Sequence, residues 1–383
     1  MKLIKLTAVA AMFCSVCAAA AEYDLAAYVW PAYQPEPRWK ELGIFDHGCG
    51  EWQNVYEAVP KKPGHKQPKV PLWGYENEAN PVVVARKIDA ALAAGVNVFI
   101  YDWYWYQNRP FLENALNEGF LKAPNGGRMK FFIMWANHDV NHLWNNKAAD
   151  KKADPPLYDS KIPLDEFKRI ADRWIKMYFS KPNYYKIGGK PVVSIYRIKN
   201  FVDGVGGEKN ARAGLDYLKK RAEEAGLGGA HVMTTSDVSK ELAEKIGIDS
   251  TTVYSWNDGT WDKIQSSEPN LKYRDWMAMA TALWDRKNSI GLTYFPNVTV
   301  GWDTNPRYPA EKFAPMVTGS NPEDFEKALR MAKDWLDKNA KPGMPKLLTI
   351  NSWNEWTEGT YLEPDEENGY AYLNAIARVF MGQ

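Results

Sequence analysis

The chain has 383 residues, 45% of them hydrophobic and 25% charged, with 48 Lys plus Arg against 47 Asp plus Glu for a formal net charge of +1. That apolar share excludes a disordered chain, and the near-zero balance lacks the basic excess of nucleic-acid-binding proteins, so no nucleic acid is expected as a partner. The 17 Trp, 21 Tyr and 14 Phe supply flat rings with polar edges, suited to stacking on sugars or to a large aromatic core.

Lys2 and Lys5 precede an apolar run from Leu6 to Val16 and the small residues Cys17 to Ala21. A basic start, a short hydrophobic stretch and an Ala-rich exit read as a secretory signal peptide over residues 1–21. The run is shorter than the ~20 apolar residues of a membrane span, and no later stretch reaches that length. An exported chain, periplasmic or extracellular and with no membrane span, is therefore expected. Cys17 fits a lipid-anchoring site poorly, given Cys14 and Val16 before it. Beyond the signal only Cys49 remains, so no internal disulfide is expected. The five His lack paired ligand spacing and the acidic stretch after Glu363 lacks a calcium-loop pattern. Neither a metal nor a cofactor is expected.

Residues 22–383 alternate strand and helix as one domain. Eight apolar runs predict strands: Tyr23–Trp30, Val96–Trp103, Lys130–Trp135, Pro191–Tyr196, His231–Thr235, Ser250–Ser255, Gly291–Val300 and Lys346–Trp353. Asn80 and Pro81 open the clearest helix, with Val84, Ile88, Ala91 and Leu92 on one face and a stop at Gly95. The same period places Phe167 with Ile170 and Trp174, Leu215 with Leu218 and Ala222, and Tyr273 with Trp276, Ala280 and Leu283. Phe325 with Ala328, Ala332 and Trp335, and Leu373 with Ile376 and Phe380, complete the set. Nearly continuous apolar strands imply a parallel sheet buried on both faces. Eight such units predict an α/β fold, a single (β/α)8 TIM barrel. An open doubly wound sheet would carry a Gly-rich turn after its first strand, where this chain has Trp30-Pro31-Ala32-Tyr33. The stretches 35–77 and 137–163 are too long for plain connections and are expected to lie as loops over the C-terminal face of the barrel.

In such a barrel the active site sits where the strands end. Those ends hold Trp30 and Tyr33, then Asp102, Trp103 and Tyr104, then Asn137, His138 and Asp139. They continue with Tyr196 and Arg197, Tyr254, Trp256 and Asn257, Trp302 and Asp303, and finally Trp353, Asn354, Glu355, Trp356 and Glu358. Trp103, Trp135, Trp256 and Trp302 are expected stacking platforms. His138 either binds a substrate hydroxyl or closes a strand end. Glu355 and Glu358, three apart beyond an apolar strand and flanked by Trp, are the expected catalytic pair. Glycoside cleavage needs one protonated acid for the leaving oxygen and one carboxylate as base or nucleophile. Apolar walls and mutual repulsion separate the two pKa values.

The run Asn354-Glu355-Trp356-Thr357-Glu358-Gly359-Thr360 resembles the Asn-Glu-Trp-x-Glu-Gly-Thr signature of glycoside hydrolase family 99, and still more its relatives labelled GH99-like or glycosyltransferase WbsX. The resemblance extends to Tyr28–Tyr33, Trp73-Gly74-Tyr75, Gly95–Tyr106, Met134–Asp139 and Gly189-Lys190-Pro191, nearly the whole of the chain after the signal. It implies a (β/α)8 barrel that hydrolyses α-mannosides with retention through a 1,2-anhydro sugar. Glu355 would be the base for the sugar 2-hydroxyl, and Glu358 the acid/base at the departing oxygen. Such chemistry suits α-linked manno- or rhamno-configured polysaccharide or glycan. Thr357 departs from the His often found in the mannosidases. A glycosyltransferase of polysaccharide biosynthesis and a non-catalytic carbohydrate-binding barrel stay open as alternatives.

Overall fold

A computed structural model describes residues 22–267 and 270–382; the expected signal peptide, residues 1–21, lies outside them. The main sheet is a curled run of parallel strands, which in chain order are β1 (Tyr23–Val29), β2 (Val98–Tyr106), β3 (Lys130–Trp135), β4 (Lys190–Ile195), β5 (His231–Thr234), β6 (Ser250–Thr251), β7 (Thr293–Tyr294), β8 (Asn297–Thr299) and β9 (Lys346–Asn351). Their spatial order is β7-β6-β5-β4-β3-β2-β1-β9-β8. The register sets Ala26 beside Val98 and Tyr23 beside Lys346.

All eight predicted strand regions contain strand, but one is cut to a fragment and another is broken in two. The run Ser250–Ser255 keeps only two paired residues in β6. The run Gly291–Val300 divides into β7 and β8 around Phe295 and Pro296, where proline has no N–H for a ladder. The two ends of the sheet are thus consecutive pieces of one segment. Phe295 N donates to Thr251 O at 2.9 Å and Thr349 N to Pro296 O at 3.0 Å.

Helices cover the outer face of the sheet. Helix α1 (Pro81–Ala94) starts as its sequence demands, with the Asn80 side chain accepting from Val82 N and Pro81 at the first position, and it ends at Gly95 with φ 97°. It is followed by α2 (Leu164–Trp174), α3 (Glu208–Glu224), α4 (Lys240–Ile246), α5 (Tyr273–Thr281), α6 (Pro322–Asn339) and α7 (Ala371–Phe380). Asn321 repeats the Asn-Pro start at α6, accepting from Asp324 N at 2.9 Å. The faces predicted from the helical period are largely buried: in α6 Phe325, Ala328 and Ala332 are buried, whereas Trp335 is half-buried and its neighbour Leu336 takes the inner position. The stretch 35–77 carries two short helices, Pro37–Glu41 and Trp52–Tyr56. The stretch 137–163 is a loop pinned by a bridge between Val140 and Tyr158. Among the described residues no helix is long and apolar enough to cross a membrane.

Candidate active site

A cavity of about 400 Å³ opens at the C-terminal ends of the strands, lined by Asp102, Tyr104, His138, Asp139, Tyr196, Arg197, Tyr254, Glu355 and Glu358 among the predicted residues. Alternation along β2 explains part of this selection. Asp102 and Tyr104 face the cavity, whereas Trp103 and Trp105 point to the helices and donate to Glu113 at 2.8 Å and Glu166 at 2.6 Å.

The chemistry concentrates around Arg307, which is fully buried. Its Nε and Nη2 donate to Glu51 at 2.7 and 3.2 Å, Nη1 to Glu358 at 2.5 Å and Nη2 to Glu355 at 3.3 Å. Glu51 also accepts from Trp30 Nε1 at 2.5 Å. One guanidinium therefore faces three buried carboxylates, and its charge cannot satisfy them all.

The distribution of protons follows from that shortage. Burial pushes Glu355 well above the usual carboxylate range and the neighbouring Glu358 pushes it further, against the pull of Arg307. Glu358 is raised by burial too, but Arg307, and then a hydrogen bond from Glu355, oppose the rise. Of the two, Glu355 is therefore pushed further towards holding a proton and Glu358 is the better supported as a charge. The Tyr254 hydroxyl lies 2.6 Å from Glu355 Oε2 and 3.1 Å from Asp102 Oδ2. Asp102 is held well above its ordinary range by burial, and its Oδ1 has no partner among the described residues. His138 Nδ1 lies 3.0 Å from Asp139 O. With a proton on Nδ1, Nε2 is left as an acceptor, and burial lowers the His138 pKa, favouring the neutral ring.

Seven predicted site residues stand away from this cavity, each for a visible reason. Tyr33 is buried against Trp52 at 3.9 Å between ring centroids, and its hydroxyl accepts from Trp356 N. Trp103 faces outward, as described. Asn137 clips β3 to β4, its amide exchanging hydrogen bonds with Arg197 N and O. Trp256 donates to Asn297 O and packs on Trp276. Trp302 lines a separate cavity of about 320 Å³ beside His65 and Asp303. Asn354 brackets the backbone of Trp30 and touches Glu78. Trp356 stacks on Tyr361 at 3.7 Å and donates to Glu363. Trp135, another expected platform, is buried against Phe167 and Trp174.

The aromatic faces that do line the cavity are Trp30, Tyr104 and Trp144 together with Tyr196 and Tyr254. Trp144, Glu51, Arg307 and Lys151 carried no sequence signal, since all four lie in aperiodic loops; Trp30 was visible as a strand end.

Comparison with known proteins agrees with this geometry. A family model described as "Glycosyltransferase WbsX" matches residues 25–376. Two curated relatives, both "Uncharacterized protein WxcX" from strains of Xanthomonas campestris pv. campestris, are 25% identical over 364 residues. That match covers 92% of this chain and 48% of theirs, so the chain spans about half the length of the curated relatives it matches. Among solved structures, a "Glycoside hydrolase-like protein" superimposes with a TM-score of 0.58 at 16% identity, covering 94% of both chains. The GH99 endo-alpha-mannosidase from Bacteroides thetaiotaomicron gives 0.54 at 13% identity, covering 94% of this chain and 96% of that one. At such identities the likeness is one of fold.

Proposed function

The chain belongs to the family described as glycosyltransferase WbsX, and on that premise we propose that it is an exported glycoside hydrolase acting on α-linked, manno- or rhamno-configured polysaccharide or glycan. The observation that carries this reading is the pair Glu355 and Glu358, buried side by side on one cavity with a single proton favoured between them. We read the sheet as a (β/α)8 barrel whose seventh strand is broken at Pro296, because β7 pairs with β6 while β8 pairs with β9. Export rests on the residue pattern of positions 1–21.

In the proposed reaction the resting proton first passes from Glu355 to Glu358 as the substrate replaces Tyr254 at Glu355. Glu355, now a carboxylate, removes the proton of the sugar 2-hydroxyl, and that oxygen attacks C1. The C1–O bond to the leaving sugar breaks and Glu358 delivers its proton to the departing oxygen. Water then opens the 1,2-anhydro ring: Glu358 takes the water proton and Glu355 returns its own to the 2-oxygen, giving overall retention. Arg307, in contact with both carboxylates, lowers the cost of charge wherever the proton leaves one. The unpartnered Oδ1 of Asp102 and the Nε2 of His138 are placed to accept sugar hydroxyls.

The family's description favours a second reading, glycosyl transfer, in which a sugar hydroxyl takes the place of water. A non-catalytic binding barrel would need neither proton nor charge balance at this pair. The test is incubation of the full chain, without residues 1–21, with α-mannan, α-rhamnan and α-glucan. Reducing ends should appear, with the first-formed anomer retained by proton NMR. E355Q and E358Q should each lose ~10³-fold or more in rate while still binding the polysaccharide. A glycosyl fluoride, whose leaving group needs no proton, should restore first-step fluoride release to E358Q but not to E355Q. Inversion of the anomer, or full activity in either variant, would exclude the mechanism.

A further inference from the structure

The cavity lining carries both signs of charge. Asp102, Glu355 and Glu358 contribute carboxyl groups to it, and Lys151, Lys152 and Arg197 contribute cations. Among the described residues neither lysine makes an ion pair, and the carboxylate nearest Arg197 is Asp258 at 3.7 Å. Asp139, which shares the lining, has its Oδ1 taken by the Ser160 N–H at 2.9 Å and hydroxyl at 2.7 Å.

Lys151 is fixed in place. Its Nζ donates to the carbonyls of Asn145 at 2.9 Å, Ala148 at 2.7 Å and Arg307 at 2.5 Å, and no proton is left for a ligand. It therefore acts as a stationary charge. Half-buried, with Arg307 and Lys61 as neighbours, it is lowered to about 8 by burial first and by those two cations next. Glu51 offsets part of the charge around Lys151, and Asp258 lies beside Arg197, but among the described residues no carboxylate pairs with Lys151 or Lys152 themselves. Arg197, by contrast, is half-exposed, with Nη2 donating to the Tyr196 hydroxyl at 2.9 Å and Nη1 3.7 Å from Asp258, beyond a direct hydrogen bond. Lys152 is exposed and unpaired. A neutral sugar offers these groups only hydroxyl oxygens, whereas a carboxylate, sulfate or phosphate matches both their charge and the geometry of the fork.

We propose that the substrate is an acidic glycan, with an anionic substituent on a sugar unit beside the cleaved linkage held by Arg197 and Lys152 in the fixed field of Lys151. This rests on the carbohydrate reading above but not on hydrolysis. The substituent's identity, carboxylate or phosphate, is left to separate arms of the test.

Ligand-observed NMR titration of the full-length E358Q chain, which removes turnover from the measurement, would compare methyl α-D-mannopyranoside with D-mannuronate, D-glucuronate and mannose 6-phosphate. At least one acidic sugar should bind ten-fold or more tightly than the neutral glycoside. K152A and R197Q should each reduce the ratio of acidic-sugar to neutral-sugar affinity at least three-fold. Equal affinity for neutral and acidic sugars, or absence of binding by either, would overturn the proposal. So would a preference that survives both substitutions. GDP-mannose or inorganic pyrophosphate binding ten-fold more tightly than every acidic sugar would also overturn it, assigning the wall to a nucleotide diphosphate. If acidic sugars are preferred as stated yet no polysaccharide is cleaved by the wild type, the hydrolase reading fails and this one stands.

Discussion

Replacing Arg307 with Met keeps most of the side chain's volume and removes its charge, so the cost can be worked from the site. The guanidinium makes hydrogen bonds to Glu51, Glu355 and Glu358. Glu355 already favours its protonated form, so the charge chiefly balances the other two carboxylates. Without it, at least one of them must take up a proton or remain buried and unpaired. An ordinary glutamate titrates near about 4.3 in an unfolded chain, and each pH unit above that costs about 1.36 kcal/mol to protonate. The penalty is then about 3.7 kcal/mol at pH 7 and about 1 kcal/mol at pH 5, the upper figure matching the cost of removing one partner from a buried ion pair. The sign follows from linkage: a carboxyl with a raised folded pKa favours the fold at low pH and loses that contribution as pH rises. R307M should therefore be destabilised much more at pH 7 than at pH 5, by a difference of about 2.7 kcal/mol. Urea unfolding of wild type and variant at both pH values measures this directly. An equal loss at the two pH values would show that Arg307 acts through packing, and would refute the charge accounting.

Two further outcomes follow from the same site. The Glu355 carboxyl, raised by burial, costs stability once ionised, so E355Q should exceed wild type by about 0.5–2 kcal/mol at pH 8, with the gap closing towards pH 4; thermal melts across that range check it. Gly359 has φ +63°, and a Cβ there would sit 2.9 Å from Asp303 Cβ. G359A should cost about 2–3 kcal/mol of stability and, by shifting Glu358, reduce kcat about ten-fold or more, read by denaturation and initial rates.

Much of the architecture was legible because it is periodic. Asn80-Pro81 and Asn321-Pro322 announce helix starts through local hydrogen bonding, and the apolar runs mark strands that must be buried on both faces. Broken or shortened strands were less visible, since hydrophobicity reports burial and not pairing; Val253 is buried without belonging to β6. At the site, Glu355 and Glu358 stood out by spacing, whereas the choice of platforms failed on direction. Asp102 and Trp103 are neighbours in sequence but face opposite sides of β2, and the alternation rule would have separated them. Glu51, Trp144, Lys151 and Arg307 could not have been found this way. Their positions depend on loops meeting at the C-terminal ends of the strands, a tertiary property with no local period.

Those meetings have a consequence for how the protein matures. Asn354 hydrogen-bonds Trp30 across 324 residues of chain, and Arg307 reaches back 256 residues to Glu51. Both acids of the pair lie beyond the last main strand, so a growing polypeptide acquires them only after every strand of the main sheet has been made. Long after its first strand has emerged from the ribosome it still lacks its reactive groups. Assembly of the cavity during refolding would consequently be a late event, timed by the docking of Asn354 and Arg307 onto Trp30 and Glu51 and not by the collapse of the interior.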